Sequence, residues 1–220
     1  NSEIEVNQIR LDKITTSNVE ILFFTNENVD RLDINNKSRL DKITIIDRIT
    51  GNAIKIVEFD YSYFNFYGTY RQGNYLSNDL RYRLKLDALR IKDSENIISE
   101  TYNFDYYKAN GYYALPARDT KCIDHWGYIN ANPYNVLTPF NRFAVGDEDR
   151  IDRSPNEGTI IQGSLKSIRY PTGGTAEFIY ETKKDQNNSP VDGTRILKII
   201  KDTKISGDVY VENYKYEKED

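Results

Sequence analysis

The sequence predicts an all-β fold: consecutive antiparallel hairpins forming one twisted, extended sheet, with a single irregular looped insertion. Three observations predict it. The chain is rich in aromatic residues, 18 Tyr and 9 Phe among 220 residues, which suit the half-buried faces of sheets. A short sequence is repeated literally, Arg10-Leu11-Asp12-Lys13-Ile14-Thr15 returning as Arg39-Leu40-Asp41-Lys42-Ile43-Thr44. Each copy is followed by a turn signal and then by an alternating strand that ends aromatic-x-Tyr or nearly so.

Taken in order, the first copy ends irregularly in Ile21-Leu22-Phe23-Phe24 and reads as a weak hairpin. The second turns at Gly51-Asn52 and closes with Phe59 and Tyr61. An aromatic stretch from Tyr61 to Tyr82 follows, whose alternation breaks at Phe64, so the strand bulges or ends there. Leu86-Asp87-Ala88-Leu89 opens the third copy, with a turn at Glu95-Asn96 and the pair Phe104 and Tyr106.

Residues 107–162 carry Gly111, Pro116, Gly127, Pro133, Pro139, Gly146, Pro155 and Gly158, too many breakers for long regular elements. The stretch still holds Trp126, Tyr128, Phe140 and Phe143, so it reads as an ordered insertion. Beyond it, Leu165-Lys166-Ser167-Ile168, the turn Pro171-Thr172-Gly173-Gly174 and the pair Phe178 and Tyr180 form the clearest hairpin. Pro fixes the first corner of such a turn and Gly accepts its positive φ. Lys183 to Gly193 is polar and reads as a mobile loop. The last copy is Leu197-Lys198-Ile199-Ile200, Gly207-Asp208, then Tyr214 and Tyr216. Chance similarity among Leu-, Ile- and Tyr-rich strands is the competing explanation, and the exact recurrence of six residues weighs against it.

Hairpins of the form Leu-x-x-Ile, turn, aromatic-x-Tyr resemble the Rhs/YD-repeat family of large bacterial surface and toxin-associated proteins. Leu165 to Tyr180 looks like a divergent member, and Leu115-Pro116 with Ile123-Asp124-His125-Trp126-Gly127-Tyr128 looks like a stretch of long YD-like chains. The likeness runs loosely from Leu40 to Tyr216. It departs from the family in lacking the Tyr-Asp-x-x-Gly element and any Asp-Pro-x-Gly-Arg cleavage boundary, so toxin release does not carry over. The resemblance implies an exported or cell-surface location and a sheet that forms part of a shell or a carbohydrate-contacting surface. The expected extent is one repeat domain over residues 1–220. With no Met even at position 1, it reads as a piece of a longer chain, neighbouring repeats being its first partners.

Composition narrows the function classes. A formal net charge of −4 with scattered basic residues leaves no footprint for nucleic acid. One Cys and one His exclude an intrachain disulfide, a multi-thiolate metal site and a His-pair zinc motif. No apolar run approaches the ~20 residues of a membrane helix. No cofactor is implied.

Asp124, His125, Trp126 and Tyr128 form the most chemically loaded stretch. Asp124 and His125 could serve as acid and base beside Trp126 as a sugar platform. Neighbours in an extended segment point to opposite faces, however, and Trp126 would then anchor the insertion to the sheet. Tyr112 and Tyr113, with Tyr106 and Tyr107, or Tyr63, Phe66, Tyr67 and Tyr70, could line a sugar-binding face or simply pack across strands. The acidic run Asp147-Glu148-Asp149 with Asp152 could take Ca²⁺ or stand as a solvated turn. Cys122 reads as an inert, half-buried thiol. Three functions follow: a non-catalytic structural or interaction module, a carbohydrate-binding module, or a glycan hydrolase. The last needs two carboxyls about 5–10 Å apart in a cleft.

Overall fold

The computed structural model describes residues 10–26, 31–34, 39–65, 78–108, 115–120, 122–130, 153–184, 190–204 and 207–216. Ten strands form one open antiparallel sheet in strict chain order. They are β1 (Lys13–Thr15), β2 (Val19–Asn26), β3 (Arg39–Asp47), β4 (Ala53–Asn65), β5 (Tyr82–Lys92), β6 (Ile98–Tyr106), β7 (Leu165–Arg169), β8 (Thr175–Lys184), β9 (Pro190–Asp202) and β10 (Val209–Asn213). The sole helical element among the described residues is one turn, α1 (Asn78–Arg81). The strands are the two arms of five successive hairpins, including the weak N-terminal one.

All four turns read from the sequence close hairpins, and three carry an aspartate the reading overlooked. Asp47 Oδ1 accepts the amides of Ile49 and Thr50 at 2.7 and 3.0 Å. Asp93 Oδ1 accepts those of Glu95 and Ile97, both at 2.9 Å. Asp202 Oδ1 accepts that of Lys204 at 3.0 Å. A short carboxylate at the end of the incoming strand, or one residue past it at Asp93, gathers the turn amides that no ladder can satisfy. These bonds favour the charged form, so backbone amides hold the Asp47 carboxyl below its ordinary pKa, and Lys204 does the same to Asp202. The fourth turn uses Gly173 instead, at φ 86°, with the Tyr170 amide donating to the Gly174 carbonyl at 2.8 Å.

At the other end of the hairpins sits a second device. Between β6 and β7 the register passes from Asp105↔Ser167 to Tyr106↔Leu165, leaving Lys166 as an extra residue. Between β8 and β9 it passes from Ile179↔Lys198 to Tyr180↔Ile196, leaving Leu197. Between β2 and β3 it passes from Phe24↔Lys42 to Thr25↔Leu40, leaving Asp41. Each is a bulge where the ladder is locally interrupted, near the start of β3 and β7 and in the middle of β9. In two of these hairpins, the tyrosine that ends the aromatic-x-Tyr pair reaches the carbonyl just before the bulge. Tyr180 Oη donates to Leu165 O at 2.9 Å, and Tyr216 Oη to Ile196 O at 2.7 Å. Tyr106 Oη makes the matching bond to Leu86 O at 2.8 Å. The bulge also corrects the alignment of the last copy: Ile196-Leu197-Lys198-Ile199 is the equivalent of Leu165-Lys166-Ser167-Ile168, one residue earlier than the sequence suggests.

The described residues divide into two compact units, one made of Asn1–Arg31, Asn35–Asp60 and Ala88–Thr101, the other of Leu32–Ile34, Tyr61–Asp87 and Tyr102–Asp220. In the first, the rows Ile14↔Ile21↔Ile45 and Phe23↔Ile43↔Val57 put six apolar side chains on one face. The opposite face is laced with charge. Lys42 lies 4.4 Å from the centre of the Phe24 ring, Lys92 pairs with Glu58 at 2.7 Å, and Arg90 with Asp60 at 2.5 Å.

In the second unit the insertion supplies cover. Leu115, Ala117 and Ile160 from it are buried, as are Phe64 and Ala176 of the strands. The Leu115 amide donates to Asn65 O at 3.3 Å, and Arg83 donates to Pro116 O at 2.6 Å. Asp33, only 5% exposed, accepts the Leu84 amide on its side chain, and Arg118 donates to its carbonyl at 2.5 Å. Strand β4 ends at Asn65, one residue past the parity break at Phe64. Both ends of the segment expected to be a mobile loop, Lys183 to Gly193, are strand. β8 extends to Lys184 and β9 begins at Pro190, because cross-strand pairing overrides weak strand propensity in Lys and Asp.

Two outcomes follow. Tyr180→Phe and Tyr106→Phe, which leave a half-buried carbonyl without its donor, should each lower unfolding free energy by about 0.5–1.5 kcal/mol in urea titrations. A loss below a few tenths would show that the hydroxyl bonds hold nothing. Burial raises the pKa of Tyr106, Tyr107 and Tyr180, with Asp87 adding to it at Tyr106 and Glu177 at Tyr107. A raised folded pKa gives stability that is whole below the ordinary tyrosine value of about 10 and is lost as pH climbs through the folded value. Tyrosinate absorbance should therefore rise later in the folded chain than in urea-unfolded chain, and unfolding should become easier only above about pH 10.

Candidate functional site

Ile123 to Tyr128 is a tight turn rather than an extended segment. Ile123 and Ile129 form an antiparallel bridge, and the Asp124 amide donates to Tyr128 O at 2.8 Å. Inside this loop Asp124 Oδ1 accepts the amides of Trp126 and Tyr128, both at 2.9 Å. Asp124 is fully buried. Its other oxygen, Oδ2, is buried and has no hydrogen-bond partner among the described residues. The backbone of the same residue is held from outside, since Arg153 donates from Nη2 to Asp124 O at 2.6 Å. Thr159 adds a bond to Ile129 O at 2.8 Å.

This geometry separates the residues that the sequence grouped. The Asp124 carboxylate is occupied inside the turn, whereas His125 lies exposed beside Trp126, their rings edge to face at 6.1 Å. Trp126 is 48% exposed, so it does not anchor the insertion. That part falls to Tyr128, whose hydroxyl and ring carbons stand 2.9 and 3.2 Å from where a Cβ on Gly193 would be. Gly193 lies in β9, at φ 30°, and lacks the side chain that would push the tyrosine off. The contact fixes the turn to the sheet and leaves its tip outward. Arg153 and Gly193 were invisible as members of this site, because both are distant in sequence and belong to no motif.

The tyrosines given as an alternative sugar face divide differently. Tyr106 and Tyr107 are half-buried, and Tyr107 spends its hydroxyl on Phe178 O at 2.8 Å while its ring meets Tyr180 edge to face at 5.9 Å. Tyr63 accepts the Leu32 amide and meets Tyr82 at 5.7 Å. Tyr112 and Tyr113, Phe66, Tyr67 and Tyr70, and the acidic run Asp147 to Asp152 lie outside the described residues. Among the described residues no group of three or more His, Cys, Asp or Glu is placed to hold a metal ion. Cys122 is a half-buried free thiol whose amide donates to Thr120 Oγ1 at 3.1 Å.

No protein-family model matches the chain, and no curated protein matches it. Among solved structures it is similar to a porin-like protein from Bacteroides uniformis, with 12% identity, 90% of this chain and 70% of that chain covered, and a TM-score of 0.30. A likeness that slight carries no conclusion. No described helix is long and apolar enough to cross a membrane.

The turn's architecture is open to direct perturbation. Asp124→Ala orphans the Trp126 and Tyr128 amides in a part-buried turn and should cost about 1 kcal/mol or more by urea titration. Gly193→Ala should displace Tyr128, quench or shift its ring signals in NMR, and leave the distant β2–β3 resonances unchanged. Unmoved Tyr128 resonances would mean that the turn is not seated on β9.

Proposed function

We propose that this chain is a non-catalytic structural module of a large exported bacterial protein of YD-like hairpin repeats. The observation that supports it most is the recurrence of one internal bond, tyrosine hydroxyl to first-strand carbonyl, in three hairpins. A unit that satisfies itself in the same way each time can be added end to end, as repeat proteins require. The side chains with the richest chemistry are engaged in this construction: Asp124 in a turn, Tyr106 and Tyr180 in strand-to-strand bonds, Glu58 and Asp60 in ion pairs. On this reading the module sits at the cell surface or outside the cell, and its partners are neighbouring repeats or another protein.

A second reading rests on one observation. Trp126 stands half-exposed at the tip of a turn seated firmly on the sheet, with His125 and Tyr128 beside it. An exposed indole on a rigid support is the element with which proteins stack against sugar rings. On that reading the module binds glycan.

A glycan-array screen of the chain beside Trp126→Ala separates the two. The scaffold reading expects no glycan signal from either protein. Binding by the parent chain that vanishes in the variant, with the melting temperature unchanged, overturns it in favour of the carbohydrate module. Removing a half-exposed indole should itself shift stability by no more than about 1 kcal/mol.

A further inference from the structure

Arg83, in β5, carries a charge that the described residues leave unanswered. Its described hydrogen bond runs from Nη1 to Pro116 O at 2.6 Å, and that acceptor is neutral. Three other strand arginines are held differently. Arg39 lies against Asp41 at 2.7 Å, Arg90 against Asp60 at 2.5 Å and Arg195 against Glu181 at 2.7 Å. Arg83 is half-buried, and no carboxylate among the described residues offsets its charge. The charge that does act on it is a second guanidinium, that of Arg118. Burial, with repulsion from Arg118 adding to it, holds Arg83 below its ordinary pKa.

The anchoring of the insertion is what brings the two cations together. Pro116, which takes the Arg83 bond, stands between the buried residues Leu115 and Ala117. Next along, the Arg118 amide donates to Leu80 O at 3.0 Å and its side chain to Asp33 O at 2.5 Å. These bonds hold the segment across the start of β5. The nearest acidic side chains are engaged elsewhere: Asp33 Oδ2 accepts the Leu84 amide at 3.2 Å, and Asp87 pairs with Lys85 at 2.8 Å. Arg118 is exposed, so the site opens to solvent on its side. Charges drawn out of water are ordinarily paired. Here the partner is missing and the way in is open.

We propose that Arg83 and Arg118 form a binding site for an oxyanion, either a free phosphate or the carboxylate of a small acid. A guanidinium presents parallel N–H groups at the spacing of two oxygens on one phosphorus or carbon. The bond to Pro116 uses one N–H of Arg83 and leaves the rest of the fork to a ligand. Such a ligand would relieve the repulsion between the two arginines and replace the water that burial removes. Chloride, with no paired oxygens, fits the fork less well. The site goes beyond the scaffold reading and does not depend on it, so either can fail without the other.

Isothermal titration calorimetry tests it, with inorganic phosphate and glucuronate as separate probes and chloride keeping ionic strength constant. Saturable binding is expected with at least one probe. Heat from phosphate alone identifies a free phosphate as the ligand, and heat from glucuronate alone identifies a carboxylate. Arg83→Gln should weaken the affinity by about tenfold or more, as loss of a charged hydrogen bond does. Arg118→Gln, at an exposed position, should weaken it with folding kept. Arg90→Gln, whose guanidinium Asp60 already holds, should leave it unchanged. Absence of saturable heat with both probes overturns the proposal. So does an affinity that survives both Arg83→Gln and Arg118→Gln, or an equal response to chloride.

Discussion

A carbonyl beside a β-bulge, reached by a tyrosine hydroxyl, is the constraint around which two of the hairpins are arranged. A bulge bends its strand and interrupts the ladder. A half-buried carbonyl without a donor costs about 1–3 kcal/mol, so something must reach it. Tyrosine at the end of the returning strand has the length to do so, and Tyr180 and Tyr216 both donate to the carbonyl before a bulge. The aromatic-x-Tyr ending and the Leu-x-x-Ile beginning are thus two halves of one contact. Their spacing in sequence varies because the turn between them varies, while the hydroxyl-to-carbonyl contact recurs in three of the hairpins.

The turn end of three hairpins is held by an equally local rule. Asp47, Asp93 and Asp202 each close the incoming strand by collecting turn amides, and Asp124 does the same within the insertion. A sheet assembled from units closed at both ends needs little from a central core. Few large side chains are fully buried here, and the insertion is what deepens burial in the second unit through Leu115, Ala117 and Ile160.

The all-β class, the five hairpins and their turns were legible because alternation, Gly and Asn at turns and a literal repeat are all local signals. The bulges were not. Leu197 and Lys166 look like ordinary strand residues, and only pairing with the neighbour shows that each is extra, which is why the last copy aligns one residue away from where its letters place it. The site was legible in its letters but not in its geometry. Ile123 to Tyr128 was singled out, yet treating it as extended reversed two assignments: Asp124 is the buried organiser and Trp126 the exposed tip. What decides this, Arg153 on the Asp124 carbonyl and the missing side chain of Gly193 beneath Tyr128, comes from 29 residues away in one case and from a different strand in the other.

Function in such a chain follows from what its polar groups are already doing. The scaffold reading proposed above rests on the hydroxyls and carboxylates that hold turns and strands together. The most direct measurement is of the hydroxyl protons themselves, through the hydrogen–deuterium isotope splitting of tyrosine Cζ signals in site-labelled protein. The account predicts slow exchange at Tyr106 and Tyr180, whose hydroxyls are bonded to Leu86 and Leu165 carbonyls, against fast exchange at the exposed Tyr210. Exchange at the solvent rate at all three would contradict it, and the repeat would then be a pattern of letters without a common bond.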